Sequence, residues 1–288
     1  MSNNALALGT FDGLHLGHQR VLAAAAKGNC TPVAVTFAEP PRAVLNGQSH
    51  CCLLLPEQKK ALLAQQGVQT CFLNFNKVMN TPAEQFLTFL LQEFQPVRLV
   101  CGFNYRFGRG AAGNPKLLQQ FCSVNNIQCT VVNAVEQGGV LVSSTQIRGL
   151  IAKGELPAAN RLLGREFSYS GTVWHGAARG RRLGFPTVNL YYPDALVLPA
   201  FGVYAGHATV EGTTYNAVTN LGHRPTFESS KIISETYIFG FNGNAYGKNI
   251  TVTLTDYIRP EQKFSGEAAL RDAVEQDKKT AQRLLGKI

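Results

Sequence analysis

The first half of the chain alternates short apolar runs with stretches of helical periodicity. Apolar runs at 5–8, 33–37, 70–73, 98–101 and 129–132 have the length of buried strands. Between them, apolar positions at three- and four-residue spacing predict helices over 18–26, 57–66, 82–94 and 115–123. Thr81-Pro82-Ala83-Glu84 reads as a capping box with Pro82 at the first helical position, ahead of Phe86, Leu87, Leu90, Leu91 and Phe94. Strand alternating with helix predicts an α/β fold with a parallel, doubly wound sheet, whose ligands bind outside the carboxyl ends of the strands.

Near residue 154 the pattern changes. Ser143-Ser144-Thr145 reads as the cap of a short helix over 146–153, and 157–163 gives another before Gly164. Beyond it, Phe167, Tyr169, Gly171 and Val173 alternate with polar residues, and runs at 203–210, 215–219, 235–241 and 250–258 continue as strands punctuated by Gly and Asn. The stretch 266–285 reads as a helix with Leu270, Val274, Ala281, Leu284 and Leu285 on its apolar side. A small antiparallel β-barrel with a closing helix follows from this half. The expected organisation is a domain over 1–155, a linker over 156–165 and a second domain over 166–288, and 288 residues suffice for two cores.

Composition narrows the class. No run of about 18 apolar residues occurs, so no membrane span is expected. Met1-Ser2-Asn3-Asn4 has neither a basic start nor an apolar stretch, and the seven cysteines form no Cys-x-x-Cys. Reduced thiols and a cytoplasmic location are the expectation. The formal net charge is +9, with 12 Lys+Arg against 6 Asp+Glu up to Gly154 and 15 against 12 beyond. The charges are scattered rather than striped along one element. That suits polyanionic small molecules such as nucleotides better than nucleic acid, and no nucleic-acid partner is expected.

The richest string follows the first apolar run: Leu8-Gly9-Thr10-Phe11-Asp12-Gly13-Leu14-His15-Leu16-Gly17-His18. A strand ending in a tight turn that opens a helix is where such sheets bind phosphate. Gly9 and Gly13 allow close backbone approach, and Asp12 suits a cap or a contact to a cofactor metal. Two imidazoles there suit nucleotidyl transfer, stabilising a pentavalent α-phosphate. The alternatives are a turn carrying two surface histidines, and a metal site, for which no third ligand lies nearby.

Two further loops join it. Gly102-Phe103-Asn104-Tyr105-Arg106-Phe107-Gly108 brings an amide, a guanidinium and aromatic rings to one strand end, suited to a flat heterocycle. Ser143-Ser144-Thr145-Gln146-Ile147-Arg148 offers hydroxyls and N–H groups at a helix start, with Arg148 one turn in, a setting for phosphate oxygens or for simple N-capping. Thr36-Phe37-Ala38-Glu39-Pro40-Pro41 is expected to wall the same crevice.

In this order, the three strings resemble the adenylyltransferase half of the prokaryotic bifunctional riboflavin kinase/FAD synthetase family. The resemblance implies a nucleotidyltransferase-like Rossmann domain that transfers AMP from ATP to FMN. It implies that His15 and His18 stabilise the transferring phosphate and that Asn104 binds ligand. Ser144, Thr145 and Arg148 would hold the ATP phosphates, and Gly9, Phe11, Asp12 and Gly17 would shape the nucleotide site. Pro40 stands where the family's Thr-Phe-x-Pro-His-Pro string carries its histidine, which puts that loop's contribution in question.

The second half carries Trp174-His175-Gly176-Ala177-Ala178-Arg179-Gly180-Arg181-Arg182-Leu183-Gly184-Phe185-Pro186-Thr187-Val188-Asn189. A glycine loop crowded with arginine reads as closing over triphosphate or as a basic patch, and the Thr and Asn oxygens can ligate Mg²⁺. The string resembles the riboflavin kinase motif Pro-Thr-Ala-Asn, with Val188 in place of Ala. It implies nucleotide contacts from Gly176, Arg181, Gly184, Thr187 and Asn189, with Thr187 and Asn189 as metal ligands. Phosphorylation of a hydroxyl needs a base, and Glu235, read as opening a strand, occupies the position of the family's catalytic glutamate. The expected activities are riboflavin to FMN and FMN to FAD, with ATP as co-substrate and Mg²⁺ as cofactor. A monomer or weak homo-oligomer is expected. The rival readings are the same fold acting on another phosphorylated acceptor, and a basic binding protein without catalysis.

Overall fold

The computed structural model describes residues 3–47, 52–175, 180, 184–223 and 231–286. The chain divides into two compact units, Met1–Gln146 and Ile147–Ile288.

In the first unit, β1 (Asn4–Leu8), β2 (Thr31–Phe37), β3 (Gln69–Leu73), β4 (Arg98–Gly102) and β5 (Gln128–Val132) form one parallel sheet in the order β3-β2-β1-β4-β5. Alternation along β1 sorts the two faces. Leu6 and Leu8 pack with Phe86, Leu87 and Leu90 of α5 (Ala83–Phe94) and with Leu118 and Cys122 of α6 (Pro115–Val124). Ala5 and Ala7 share a cluster with Val21, Leu22 and Ala25 of α1 (Leu16–Ala25) and Leu63 of α3 (Pro56–Gln65). Both faces are covered, which is why each strand is a continuous apolar run. The chain winds outward from β1 to β3 and returns to place β4 beside β1. The direction of winding therefore reverses between β1 and β4, where such sheets bind ligands.

The predicted capping box does not form. Pro82 is the N-cap of α5, its carbonyl accepting from Phe86 N at 3.0 Å, and no side chain caps the helix. The Thr81 carbonyl accepts from Arg109 N at 2.7 Å instead. Short features that were not predicted include α2 (Pro41–Asn46), α4 (Phe75–Val78) and the hairpin β6 (Glu136–Gln137) with β7 (Val140–Leu141). Each is too short to show a period. The six cysteines among the described residues are free thiols.

The second unit is a curled six-stranded antiparallel sheet. Its order is β8 (Phe167–Thr172), β13 (Asn249–Arg259), β10 (Gly202–Val210), β11 (Thr213–His223), β12 (Ile232–Ile238), β9 (Thr187–Tyr191). A bridge in which Trp174 N donates to Asn189 O at 3.1 Å joins the two edges and closes the curl. Two register shifts between β10 and β13 supply curvature. At the second, Gly206 lies so close to the Thr253 carbonyl that a Cβ would sit 1.9 Å from it. Inside, Tyr169 donates to Ser234 at 2.7 Å, and Thr236 bonds Thr219 at 3.0 Å. These hydroxyls are buried and mutually satisfied.

Two helices bind the outside. Residues 156–165, read above as a linker, contain a packed helix, α8 (Leu156–Leu163). Its Asn160 amide donates to Leu254 O on β13 at 3.1 Å and accepts from Phe167 N on β8 at 2.9 Å. The C-terminal helix, α9 (Glu267–Leu285), lays Ala281 and Leu285 on Val203, Ala205 and Val218. Arg259 of β13 fixes it with a bidentate pair to Asp277, Nε to Oδ1 at 2.8 Å and Nη2 to Oδ2 at 2.7 Å. Asp277 is 4% exposed. Asp277→Ala leaves that guanidinium beside a buried void, and a loss of about 3 kcal/mol in unfolding free energy by chemical denaturation is expected.

Candidate active sites

The first site is the turn after β1. Phe11 and Leu14, both fully buried, hold φ of +46° and +45°, a conformation that bulky residues rarely adopt. Leu14 N closes the turn on Phe11 O at 3.3 Å, and α1 starts with His15 as its N-cap. His18 N donates to His15 Nδ1 at 3.3 Å, so the neutral His15 ring carries its proton on Nε2. The two imidazoles stack with centroids 3.6 Å apart, and Phe11 meets His18 edge-on at 5.3 Å. Burial, then His15, then Lys59 hold the His18 pKa well below the usual imidazole value. His18 Nδ1 is buried with no hydrogen-bond partner among the described residues, an atom that a ligand would complete.

Gly17 fits closely into this packing, because a Cβ there would lie 3.1 Å from His15 Cε1 and 3.2 Å from Nδ1. Gly17→Ala should raise helix stability slightly while pushing the His15 ring by a few tenths of an ångström. A fall in the turnover of this site of up to about tenfold, at an unchanged or higher melting temperature, is expected. Gly9 serves similarly, since a Cβ there would lie 3.2 Å from Cζ of the Phe11 ring.

Other residues named from sequence have mixed placements. Asp12 is buried, and its Oδ1 accepts from Leu53 N at 2.7 Å, so this oxygen holds the chain before α3 rather than presenting itself to a cofactor. Ser144 donates to Asp12 O at 2.8 Å, and the capping contact of α7 (Ser144–Ala152) comes from Ser143, which accepts from Gln146 N at 3.2 Å. Thr145 is exposed at the start of that helix, and Arg148 is half-buried one turn later. Asn104 is exposed in a turn after β4, closed by Tyr105 N donating to Gly102 O at 3.1 Å. β1 and β4 are neighbours, so the Asn104 loop and the histidine turn leave the same end of adjacent strands. Thr36 does not wall the crevice. It is 1% exposed and donates to Thr10 O at 2.8 Å from beneath. Pro40 is buried and precedes α2.

The second site is a cavity of about 1130 Å³ on the outer face of the barrel. Pairing register builds its wall. Glu235 lies opposite Asn189 on one side and Asn220 on the other, and Tyr237 lies opposite Thr187. Directly paired residues share a face, so Thr187, Asn189, Asn220 and Glu235 all line the cavity. Glu235 is central in β12 rather than at its start, since the strand begins at Ile232 and ends at Ile238. Val188 pairs with Thr236 and is itself among the residues lining the cavity, where its side chain brings no oxygen donor. Hydroxyl and amide oxygens are hard donors of the kind Mg²⁺ prefers, and Thr187 and Asn189 fit it.

Asn220, Arg259 and Asp277 also line this cavity and carry no assigned role from sequence. The alternation along β11 places Asn220 and Gly222 on one face, a signal that could have found Asn220. Gly184 is exposed with φ of +89°. Gly180 O accepts from Phe185 N at 2.9 Å, folding the loop end against the Thr187 strand. Gly176, Arg179, Arg181 and Arg182 lie outside the described residues.

Comparison with known proteins covers both units. A family model for FAD synthetase matches residues 1–146, and one for riboflavin kinase matches 163–285. A Listeria monocytogenes protein described as a bifunctional riboflavin kinase/FMN adenylyltransferase is 33% identical over 99% of this chain and 94% of its own. Proteins of the same description from Bacillus subtilis and Escherichia coli K12 are 33% and 32% identical, covering 97% and 98% of this chain and 92% of each relative. A solved structure from Streptococcus pneumoniae, described as a macrolide-efflux protein, superposes with a TM-score of 0.89 at 30% identity, over 98% of this chain and 94% of that one. Among the described residues, no helix is long and apolar enough to cross a membrane.

Proposed function

The chain belongs to the bifunctional riboflavin kinase/FMN adenylyltransferase family, and from that premise we propose how its residues divide the two reactions. The protein phosphorylates riboflavin to FMN with ATP and then transfers AMP from ATP to FMN, releasing pyrophosphate. Each unit has its own constellation: the stacked histidines after β1, and the Asn189–Glu235–Asn220 row on the cavity wall. That row is the observation that carries the kinase half.

In the kinase, the riboflavin 5′-hydroxyl attacks the γ-phosphorus as the bond to the bridging oxygen breaks and ADP leaves, and Glu235 takes the proton that the hydroxyl loses. The amides of Asn189 and Asn220 on the flanking strands orient the carboxylate and the hydroxyl, which is catalysis by placement. Thr187 and Asn189 would hold Mg²⁺, which when bound would supply charge neutralisation to the ATP phosphates. Gly176, Arg181 and Gly184 belong to the loop that contacts the triphosphate.

In the adenylyltransferase, the FMN phosphate oxygen is already ionised, so no base is needed. The work is to stabilise charge on the α-phosphate as the pyrophosphate leaves. His18 does this from a buried ring whose Nδ1 awaits a partner, and His15 holds its backbone through the N-cap contact. Gly9, Phe11 and Gly17 shape the turn, Asn104 contacts ligand from the β4 loop, and Ser144, Thr145 and Arg148 form the phosphate-facing start of α7. The protein works in the cytoplasm as a monomer or weak homo-oligomer, without nucleic acid.

Purified protein incubated with riboflavin, ATP and Mg²⁺ should accumulate FMN and then FAD, resolved by chromatography. FMN without FAD, or neither, would refute the assignment.

A further inference from the structure

We propose that Lys59 is a positioning residue for adenylyl transfer, clamping the backbone beneath the histidine turn. The proposal rests on the assignment of that reaction to His15 and His18.

Lys59 lies in α3 and is completely buried. Its ammonium has three N–H donors and three carbonyls to meet them: Phe37 O at 2.8 Å, Thr10 O at 3.1 Å and Ala38 O at 3.5 Å. Those carbonyls sit at the ends of two adjacent parallel strands, β1 and β2. One cation therefore ties the first residues of the histidine turn to the start of the loop that contains Pro40. Thr36 reinforces the same point, donating to the Thr10 carbonyl at 2.8 Å from β2. Phe72 of β3 faces the ammonium at 6.0 Å.

An apolar side chain of the same length would fill the space but leave the Thr10, Phe37 and Ala38 carbonyls without this donor. The lysine's value lies in what it holds. The turn that follows Thr10 carries Phe11 and Leu14 at positive φ, a backbone that persists only where its surroundings over-determine it. The Phe11 ring in turn packs edge-on to His18. Lys59 thus acts on the His18 ring through backbone and one aromatic contact. Its charge also reaches that ring: Lys59 is among the causes that lower the His18 pKa, after burial and His15. The lysine's own pKa is lowered by burial and partly restored by Asp12 and Cys52.

The test compares Lys59→Met, Thr36→Val and His18→Ala in the full chain, measuring kcat and KM for FMN adenylylation alongside riboflavin phosphorylation. Lys59→Met should lower kcat for adenylylation about 100-fold, the cost of a misplaced catalytic group. KM for ATP and FMN should stay within threefold, and kinase turnover should be unchanged. A role confined to stability would leave kcat of the folded fraction normal. Thr36→Val removes one hydrogen bond to the same carbonyl without changing shape, and a kcat loss of about fivefold at constant KM is expected. That variant decides the matter if Lys59→Met does not fold. Normal kcat in Thr36→Val and in any folded Lys59→Met overturns the clamp. Normal activity in His18→Ala overturns the site assignment itself, which separates the two failures.

Discussion

Glu235→Gln should stop FMN formation from riboflavin while leaving conversion of supplied FMN to FAD intact. The substitution keeps the shape of the side chain and removes its ability to accept a proton. Loss of a positioned base typically costs 10²- to 10⁴-fold, and about 10³-fold is expected here. Folding should be spared. The neighbours of Glu235 along β12, Ser234 and Thr236, face the barrel interior and keep their hydroxyl bonds. Glu235 itself faces the cavity, between Asn189 and Asn220. Product chromatography from riboflavin and, separately, from FMN gives both rates on one preparation. Riboflavin phosphorylation within tenfold of the unaltered protein would mean that another group takes the proton.

The reverse variant has an effect of similar size. His18→Ala should lower FAD formation about 10²- to 10³-fold, the usual result of deleting one preorganised group that stabilises transition-state charge. Riboflavin phosphorylation by the same chain should continue, so FMN accumulates. The ring contributes packing as well, stacked on His15 and edge-on to Phe11. His18→Asn, which keeps a hydrogen-bond donor, should therefore recover part of the rate. Equal rates for the Ala and Asn variants would assign the loss to packing alone.

The parallel sheet was legible because it is buried on both faces, which turns each strand into an apolar run bounded by turns. β1 shows this, with Ala5 and Ala7 on one helix layer and Leu6 and Leu8 on the other. The histidine string was legible because glycines and imidazoles at fixed spacing are local features. What stayed hidden depends on partners distant in sequence. Lys59 is an ordinary surface-type residue in the sequence, and only folding brings it to Thr10, 49 positions away. The sequence does not show that Asp12 Oδ1 accepts from Leu53 N, or that the Ser144 hydroxyl donates to Asp12 O across 132 positions. Pro82 was misplaced by one residue, because local composition does not say which carbonyl opens a helix. Asn220 needed the strand register, which sets it beside Glu235.

The central claim is that one chain carries two catalytic constellations, each sufficient for its own reaction. Mixing Glu235→Gln with His18→Ala tests it most directly. Given riboflavin, ATP and Mg²⁺, neither variant alone should make FAD at more than about a hundredth of the normal rate. The mixture should make it readily, since FMN released by His18→Ala is a substrate for Glu235→Gln. Failure of the mixture to form FAD, with both proteins folded, would contradict the two-site account.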